Sequence, residues 1–298
     1  MPPSVAELLR RYREAGQTIA LSRALSMIEA APARVPEFSP ATGDPLVHRI
    51  GVTGPGGAGK STLVGRLIAS YRATGRRVAV LAIDPSSPIS GGSVLGDRVR
   101  MDRVSDDGVY IRSLATRRAP GAVAVAAGAM LRAIESTGRF DVIVVETAGA
   151  GQTDVAIAGL VDTVVLLTVP GLGDAVQAIK AGILELADIA VVNMADRPGA
   201  EETARQLRSM LDGHIKILTT VAADGRGVEE LRAQLDATFA DLTHTGQLAV
   251  RRDAQARNQL FVTASAFLDA CVADIPVDQP LSDMVGALLE EAARRWRT

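Results

Sequence analysis

The segment Gly54–Ser61 constrains the fold of this chain more than any other feature. It reads Gly-Pro-Gly-Gly-Ala-Gly-Lys-Ser, which fits the pattern G-x-x-x-x-G-K-[ST], and it follows the strand-like run at 47–53 directly. In this pattern the glycines let backbone N–H groups surround phosphate oxygens, the lysine reaches the β and γ phosphates, and the hydroxyl binds Mg²⁺. The segment therefore predicts a strand, a phosphate-binding loop and a helix, which together bind a nucleoside triphosphate.

The scarcity of lysine makes this motif informative. Only three of the 32 lysine and arginine residues are lysines, namely Lys60, Lys180 and Lys216. A compact ammonium group enters a phosphate loop, whereas the planar guanidinium group of arginine does not fit the same space. A lysine at position 60 therefore favours phosphate binding over a glycine-rich turn that binds nothing. The expected nucleotide contacts in this segment are Gly54, Gly56, Gly57, Ala58, Gly59, Lys60, Ser61 and Thr62.

Composition excludes several classes of protein. The chain has 298 residues, of which 47% are hydrophobic, and a net charge of −2, so we expect a large core and no nucleic-acid partner. The single cysteine, Cys271, excludes a disulfide framework and a cysteine-rich metal site, and it favours a reducing compartment. Neither an apolar run of membrane-spanning length nor a signal-peptide pattern occurs. We therefore expect a cytoplasmic protein without a membrane partner.

Short β-branched runs alternate with helical patterns from residue 47 onward. The strands are nearly continuous hydrophobic stretches, such as 142–145, which is typical of a parallel sheet with helices on both faces. This pattern predicts an α/β fold with a doubly wound, mostly parallel sheet. The predicted strands are 47–53, 77–83, 109–112, 141–146, 162–169, 189–193 and 215–220. The predicted helices between and after them are 61–73, 121–137, 174–187, 200–211 and 228–240.

Helical patterns flank this region on both sides. Residues 4–31 predict two short helices followed by a linker, and 248–273 and 281–296 predict two amphipathic helices. The C-terminal pair either packs on the core or serves oligomerisation. We predict an N-terminal helical extension and linker at 1–44, a nucleotide-binding domain at 45–242 and a C-terminal helical arm at 243–298.

Carboxylates stand at the carboxyl ends of two predicted strands. Ligands of open parallel sheets bind at the carboxyl ends of the strands, so Asp84 and Glu146 are expected to lie near the phosphate loop and its Mg²⁺. Glu146 opens the sequence Glu-Thr-Ala-Gly, which resembles the D-x-x-G motif of GTPases with glutamate in place of aspartate. The carboxylate of Glu146 would then face the metal ion, and the N–H group of Gly149 would face the γ phosphate.

The segment Asn193–Asp196 predicts the base. It has the N-x-x-D spacing of a guanine-binding motif, in which a carboxylate accepts both N–H donors of guanine. Met194 replaces the usual lysine and can supply similar apolar contact. The three residues Thr220, Val221 and Ala222 follow the next predicted strand. They occupy the place of the last guanine motif, which requires only a backbone N–H group. These residues favour guanine over adenine.

Together with further segments, these motifs closely resemble the MeaB/ArgK/MMAA family of GTPases, whose members are chaperones of adenosylcobalamin-dependent acyl-CoA mutases. The segments that carry the resemblance are 83–101, 112–117, 146–152, 170–174 with Gln177 and Lys180, and 193–199. The resemblance runs from the N-terminal helices to about residue 240. It implies a P-loop GTPase fold, GTP and GDP as ligands, slow intrinsic hydrolysis and a mutase partner. The C-terminal helices resemble the dimerisation arm of the family loosely, which implies a homodimer.

The resemblance also implies roles for individual residues. Ser61, Asp84, Asp97 and Glu146 would organise Mg²⁺ and two switch loops. Asp174, Gln177 and Lys180 would belong to a further switch that communicates with the mutase. Catalysis would rest on Lys60 and Glu146, and Gln152 is a candidate for orienting the attacking water.

Three alternatives remain open from the sequence alone. The chain could be a protein kinase of a transport system, although no motif for a second substrate is visible. It could be a metal-delivery GTPase, although such proteins need Cys or His ligands near their switches. It could also be a nucleotide-sensing scaffold without activity. The mutase partner is also open among methylmalonyl-CoA, isobutyryl-CoA and 2-hydroxyisobutyryl-CoA mutases.

Overall fold

Seven parallel strands form one sheet in the computed structural model, which describes residues 2–32, 46–84, 108–115, 120–147, 149, 152–171, 183–210, 215–276 and 278–297. The strand order is β3-β2-β4-β1-β5-β6-β7. This order confirms the predicted doubly wound parallel sheet. The strands are β1 (His48–Thr53), β2 (Val78–Asp84), β3 (Val109–Ala115), β4 (Val142–Thr147), β5 (Thr163–Thr168), β6 (Ile189–Val192) and β7 (Lys216–Thr219).

The central strands are buried on both faces. Every residue of β4 and β5 is buried, as their unbroken hydrophobic runs predict for strands covered by helices on either side. β1 lies between them, with Ile50 paired to Val144 and Gly51 paired to Val164. This arrangement places the loops after β1 and β4 side by side at the carboxyl ends of the strands, which we call the carboxyl edge.

Helices cover both faces of the sheet. The helices are α1 (Val5–Ala15), α2 (Thr18–Ala30), α3 (Lys60–Ala73), α4 (Pro120–Ser136), α5 (Gln152–Ala158), α6 (Ile183–Leu186), α7 (Ala200–Met210), α8 (Val228–His244), α9 (Gln247–Val272) and α10 (Leu281–Arg297). α3 and α8 share one apolar core with β1, β4 and β5. α1, α2, α4 and α5 share the core on the opposite face.

The two N-terminal helices are part of this second core. Ser4 caps α1, because its hydroxyl accepts a hydrogen bond from the backbone N–H of Glu7, and Gly16 ends the helix in a left-handed conformation. Leu21 and Leu25 of α2 are fully buried in the core that contains α4. The two predicted N-terminal helices are confirmed. The boundary predicted at residue 44 remains a prediction.

Aspartates organise the opposite end of the sheet, which we call the amino edge. Asp141, Asp162 and Asp188 each immediately precede a strand. Each accepts a hydrogen bond from a backbone N–H group of the neighbouring chain segment, at 2.7, 2.9 and 2.8 Å respectively. The donors are Arg77, Arg49 and Val164. These bonds satisfy polar backbone groups where the strands begin.

Two elements differ from the sequence prediction, and a third predicted element is described only in part. β3 continues to Ala115 rather than ending at 112, because an edge strand tolerates polar residues such as Arg112, which pairs with Glu29 of α2 at 2.7 Å. The short helix α5 was not predicted. Of the predicted helix 174–187, the structure describes Ile183–Leu186, and the remainder lies outside the described residues.

No helix in the described part of the chain combines the length and apolar character needed to cross a membrane.

Candidate nucleotide-binding site

The loop between β1 and α3 requires glycine at several positions. Gly54 has φ +145°, and a β-carbon there would lie 2.1 Å from the carbonyl oxygen of Leu167. Gly57 and Gly59 have φ +77° and +88°, which is the left-handed region that other residues rarely adopt. The loop therefore depends on backbone conformations and close contacts that only glycine provides.

Gly56 requires a different explanation. No heavy atom lies within 4 Å of the position that its β-carbon would take, and its φ is outside the left-handed region. Neither packing nor backbone strain therefore demands glycine at position 56. Close approach of a ligand to the exposed backbone is a physical reason for glycine at such a site.

Lys60 begins α3 and lies inside the loop. Its side chain is 7% exposed, and its Nζ donates hydrogen bonds to the carbonyl oxygens of Gly54 and Pro55 at 2.8 and 3.0 Å. Gly149 approaches the same place, because a β-carbon on it would lie 3.0 Å from this Nζ and 2.3 Å from the oxygen of Gly54. The segment after β4 thus meets the phosphate-loop motif at its lysine.

Ser61 and Glu146 form a direct contact between the same two segments. The Ser61 hydroxyl donates a hydrogen bond to Oε1 of Glu146 at 2.6 Å. Glu146 is 7% exposed and pairs in register with Val52 of β1. A hydroxyl beside a buried carboxylate is an oxygen donor set suited to Mg²⁺, which proteins bind through few side chains together with phosphates and water. Within the described ranges, no group of three or more His, Cys, Asp or Glu side chains could hold a metal ion.

Asn193 connects the phosphate loop to the loop after β7. It is 2% exposed, and its Nδ2 donates to the carbonyl oxygen of Ala58 at 2.8 Å. Its Oδ1 accepts from the hydroxyl of Thr220 and from the backbone N–H of Ala222, both at 3.0 Å. These three bonds hold the end of β6 to both loops. A direct contact of Asn193 with a nucleotide remains a prediction.

Met194 and Asp196 extend from the same turn. Met194 has φ +55°, the one positive value among the described residues other than glycine. Its side chain is half-buried and packs on the core beneath α3, and its Cε lies 3.9 Å from the position of a β-carbon on Gly59. Asp196 is exposed beyond it. The predicted base-binding residues thus lie next to the phosphate-loop motif.

Arg66 is a residue of this region that the sequence analysis missed. It lies on α3, and its Nε donates to the carbonyl oxygen of Ala222 at 3.2 Å, while its Nη2 donates to that of Ala223. No motif or spacing in the sequence distinguishes it from the other arginines, because its acceptors are backbone groups more than 150 residues away.

The remaining predicted site residues have the following positions. Thr62 is exposed on the first turn of α3. β2, which pairs with β4, ends at Asp84, and α5 begins at Gln152. Val221 is buried in the loop after β7. Asp97, Asp174, Gln177 and Lys180 lie outside the described residues.

Comparison with known proteins gives a consistent family. A family model described as methylmalonyl Co-A mutase-associated GTPase MeaB matches residues 18–274. A Pyrococcus horikoshii protein whose name contains the words GTPase PH0274 is 43% identical over 263 residues, which are 83% of this chain and 82% of that protein. GTPase ArgK of Escherichia coli is 35% identical over 271 residues, which are 85% and 81% of the two chains.

Two further comparisons extend this result. A mouse protein named methylmalonic aciduria type A homolog, mitochondrial, is 34% identical over 268 residues, which are 80% of this chain and 64% of that protein. The solved structure of a protein named LAO/AO transport system kinase has a TM-score of 0.68 at 23% identity, over 99% of this chain and 98% of that one. The structural likeness confirms the fold, and the sequence relatives confirm the resemblance seen in the motifs. The chain belongs to the MeaB family of GTPases.

Proposed function

We propose that this chain binds GTP with Mg²⁺ at the carboxyl edge and hydrolyses it slowly. We further propose that it acts as a chaperone that gates cofactor loading of an adenosylcobalamin-dependent acyl-CoA mutase, which it protects or reactivates. The observation that carries the nucleotide part is the convergence of Lys60, Gly149 and the Ser61–Glu146 contact on one glycine-rich loop.

The phosphates would bind where protein groups now bind each other. The Lys60 ammonium, which donates to two loop carbonyls, is placed to donate to phosphate oxygens instead. The backbone N–H groups of the loop and the N-terminus of α3 add positive potential. Gly149, against the loop, would meet the γ phosphate. GTP and GDP would differ at this contact, which is the general way in which a nucleotide orders a switch.

The base would bind beside Met194. The exposed carboxylate of Asp196 can accept hydrogen bonds from both N–H donors on the edge of guanine, which adenine cannot supply. Met194 would give apolar contact to the base face, and the backbone after β7, at Thr220, Val221 and Ala222, would border the base. These positions favour GTP over ATP.

Hydrolysis would require in-line attack of water on the γ phosphate. Lys60 and the loop N–H groups would stabilise the charge that develops on the phosphoryl oxygens. Gln152, at the start of α5, is our candidate for orienting the water. Ser61 and Glu146, with Asp84 and Asp97, would hold Mg²⁺, which when bound neutralises phosphate charge.

The partner assignment rests on the family. Its model description names methylmalonyl-CoA mutase, and the mouse relative is named for methylmalonic aciduria. We propose that a segment containing Asp174, Gln177 and Lys180 communicates with the mutase, and that the protein acts in the cytoplasm.

We also propose that the chain forms a homodimer through α9 and α10. Several large apolar side chains on these two helices are exposed, which is typical of a protein interface. They include Leu260, Phe261, Leu281, Leu289 and Trp296. Light scattering of the purified protein tests this: a dimer that Phe261→Glu converts to a monomer is expected, and a monomeric wild-type protein would contradict it.

Co-purification with candidate cobalamin mutases tests the function. GTP and ATP hydrolysis are measured with and without each of the three mutases named above. We expect preference for GTP and acceleration of GTP hydrolysis by one mutase. Preference for ATP, or the absence of acceleration and of binding with every mutase, would overturn the proposal. Lasting transfer of labelled γ phosphate to a protein would show a kinase instead.

A substitution of Asp196 tests base recognition separately. In Asp196→Asn the amide offers a donor where guanine has donors and xanthine has a carbonyl oxygen, so preference is expected to shift from GTP toward XTP. Asp241→Asn, on the exposed surface of α8, is the matched control and is expected to keep the wild-type preference. Unchanged preference in Asp196→Asn would remove this residue from the base site.

A further inference from the structure

Arg66 binds the loop that follows β7 through a fork of donors. Its Nε and Nη2 donate to two successive backbone carbonyls, those of Ala222 and Ala223. The same loop is closed on itself by a bridge between Val221 and Arg226. A planar guanidinium that binds two successive carbonyls fixes the orientation of the loop as well as its distance from α3.

These bonds complete a ring of contacts around the predicted base site. The backbone N–H of Ala222 donates to Asn193, and Asn193 donates to the carbonyl oxygen of Ala58 in the glycine loop. Ala58 leads into α3, which carries Arg66 two turns later. The loop after β7 is therefore held from two sides, by a buried amide at the end of β6 and by an arginine on the helix of the phosphate-loop motif.

On the basis of the function proposed above, we propose that Arg66 is a positioning residue for base recognition and sets the preference for GTP over ATP. Guanine presents an acceptor at the ring position where adenine presents an amino donor, so a backbone N–H group distinguishes the two only where it is held in place. The N–H group of Ala222 donates to Oδ1 of Asn193 in this structure and would exchange that acceptor for the guanine oxygen. Arg66 touches neither base nor phosphate in this role. Arg66 acts through the backbone at Thr220–Ala223, and this role requires two hydrogen-bond donors held in one plane.

The test compares Arg66→Ala with Ser70→Ala, one helical turn further along α3. Ser70 donates to Oε2 of Glu229 on α8 at 2.6 Å and does not touch the loop after β7, so it controls for the loss of a polar contact made by α3. KM and kcat are measured for GTP, ITP and ATP, and thermal midpoints are recorded for each variant.

Arg66→Ala is expected to raise KM for GTP by about fivefold or more while kcat stays within about twofold, because ground-state binding is lost rather than chemistry. The GTP-over-ATP preference should fall by a similar factor. The GTP-over-ITP preference should not change, because it depends on the guanine amino group and Asp196. Arg66→Lys, whose donors are not arranged in a plane, should recover part of the preference. Ser70→Ala should match wild type in all three preferences.

A lower thermal midpoint with an unchanged GTP-over-ATP preference would overturn the inference, because Arg66 would then be structural only. If Arg66→Ala does not fold, the preference of Arg66→Lys decides the question, and a wild-type value there overturns the inference. A wild-type protein that fails to prefer GTP would instead overturn the function proposed above, so the two failures are distinguishable.

Discussion

The two edges of the sheet differ in the chemistry that holds them. At the carboxyl edge, side chains bind mainly to backbone carbonyls: Lys60 to Gly54, Asn193 to Ala58 and Arg66 to Ala222. At the amino edge, buried or half-buried charged side chains bind one another. Arg252 donates to both carboxylate oxygens of Asp162 at 2.9 and 2.6 Å, Arg49 donates to Glu135, and Arg251 donates to Asp188 at 3.0 Å.

This difference indicates which edge can change its contacts. A lysine bonded to carbonyl oxygens can exchange them for phosphate oxygens, because losing the bond to a neutral carbonyl costs less free energy than leaving a charge without its partner. The carboxylate of Asp162 is fully buried, so separating it from Arg252 would leave an uncompensated charge. Arg251 and Arg252 belong to α9, so the amino edge fixes this long helix to the sheet while the carboxyl edge remains adaptable.

The largest expected effect is at the amino edge. Asp162→Ala removes the acceptor of Arg252 and of the Arg49 backbone N–H, and is expected to lower the free energy of unfolding by about 3–5 kcal/mol. KM for GTP, measured below the unfolding transition, should stay near the wild-type value. Denaturant unfolding and steady-state kinetics measure the two quantities.

Asp253→Ala is the matched control for this variant. Asp253 forms an exposed pair with Arg257 at 2.8 Å within α9, and its loss should lower the free energy of unfolding far less than the loss of Asp162. If Asp162→Ala were as mild as the control, or changed KM for GTP strongly, the proposed division between the two edges would be wrong.

The next largest effect is expected at the carboxyl edge. Lys60→Ala should lower kcat/KM for GTP by about 10²–10³-fold, the usual cost of removing a group that stabilises transition-state charge. Unfolding stability should change far less than in Asp162→Ala, because the carbonyl partners of Lys60 are neutral. Lys216→Ala, on the exposed edge strand β7, is the matched lysine control and should retain full activity. If kcat/KM for GTP fell by less than tenfold in Lys60→Ala, the proposed phosphate site would be wrong.

A third prediction uses pH to test the amino edge. His48 begins β1, where its Nε2 lies 2.8 Å from the hydroxyl of Thr163 and its ring stacks on Phe239 of α8 at 4.3 Å. Burial lowers the pKa of His48 from 6.5 to about 3, although Asp162 opposes this shift. Between these values the unfolded chain binds a proton that the folded chain does not. Stability is therefore lost as pH falls through 6.5, by about 2 kcal/mol from pH 7 to pH 5.

Chemical denaturation at pH 7 and pH 5 measures this loss. Other groups also titrate in this range, so the informative quantity is the change in the pH difference between variants. His48→Gln should reduce the loss by about 2 kcal/mol, since no imidazole titrates in the unfolded chain. His244→Gln, at the exposed end of α8, should keep the wild-type pH dependence. Equal pH dependence in wild type and His48→Gln would show that His48 is not the group responsible.

The sequence predicted the fold class well because short local patterns mark the individual strands of the sheet. Unbroken hydrophobic runs mark β4 and β5, and the glycine motif marks the turn after β1. The helix α5 escaped prediction because seven residues between glycine-rich segments give little helical periodicity. The polar residues of β3 shortened its prediction because an edge strand does not need a continuous hydrophobic run.

The candidate site was predictable only in part. Motifs identified Lys60, Ser61 and Glu146 because each has a required chemical type at a fixed spacing. Arg66 and the bonds of Asn193 to Ala58 and Ala222 were not predictable, because their partners are backbone groups brought together by the fold. The aspartates of the amino edge were missed for the same reason: a carboxylate before a strand has no signature until its neighbour is known.

The smallest effect is expected at Met194, where this chain has methionine instead of the lysine usual in guanine motifs. Met194→Lys should change affinity for GTP by less than about tenfold, because the lysine stem can make the same apolar contact near Gly59 and the half-exposed ammonium adds a weak interaction. Titration calorimetry measures this, and Met210→Lys, on the surface of α7, is the matched control. A larger change would mean that charge at position 194 controls the site, and that the carboxyl edge depends on more than the backbone contacts of its loops.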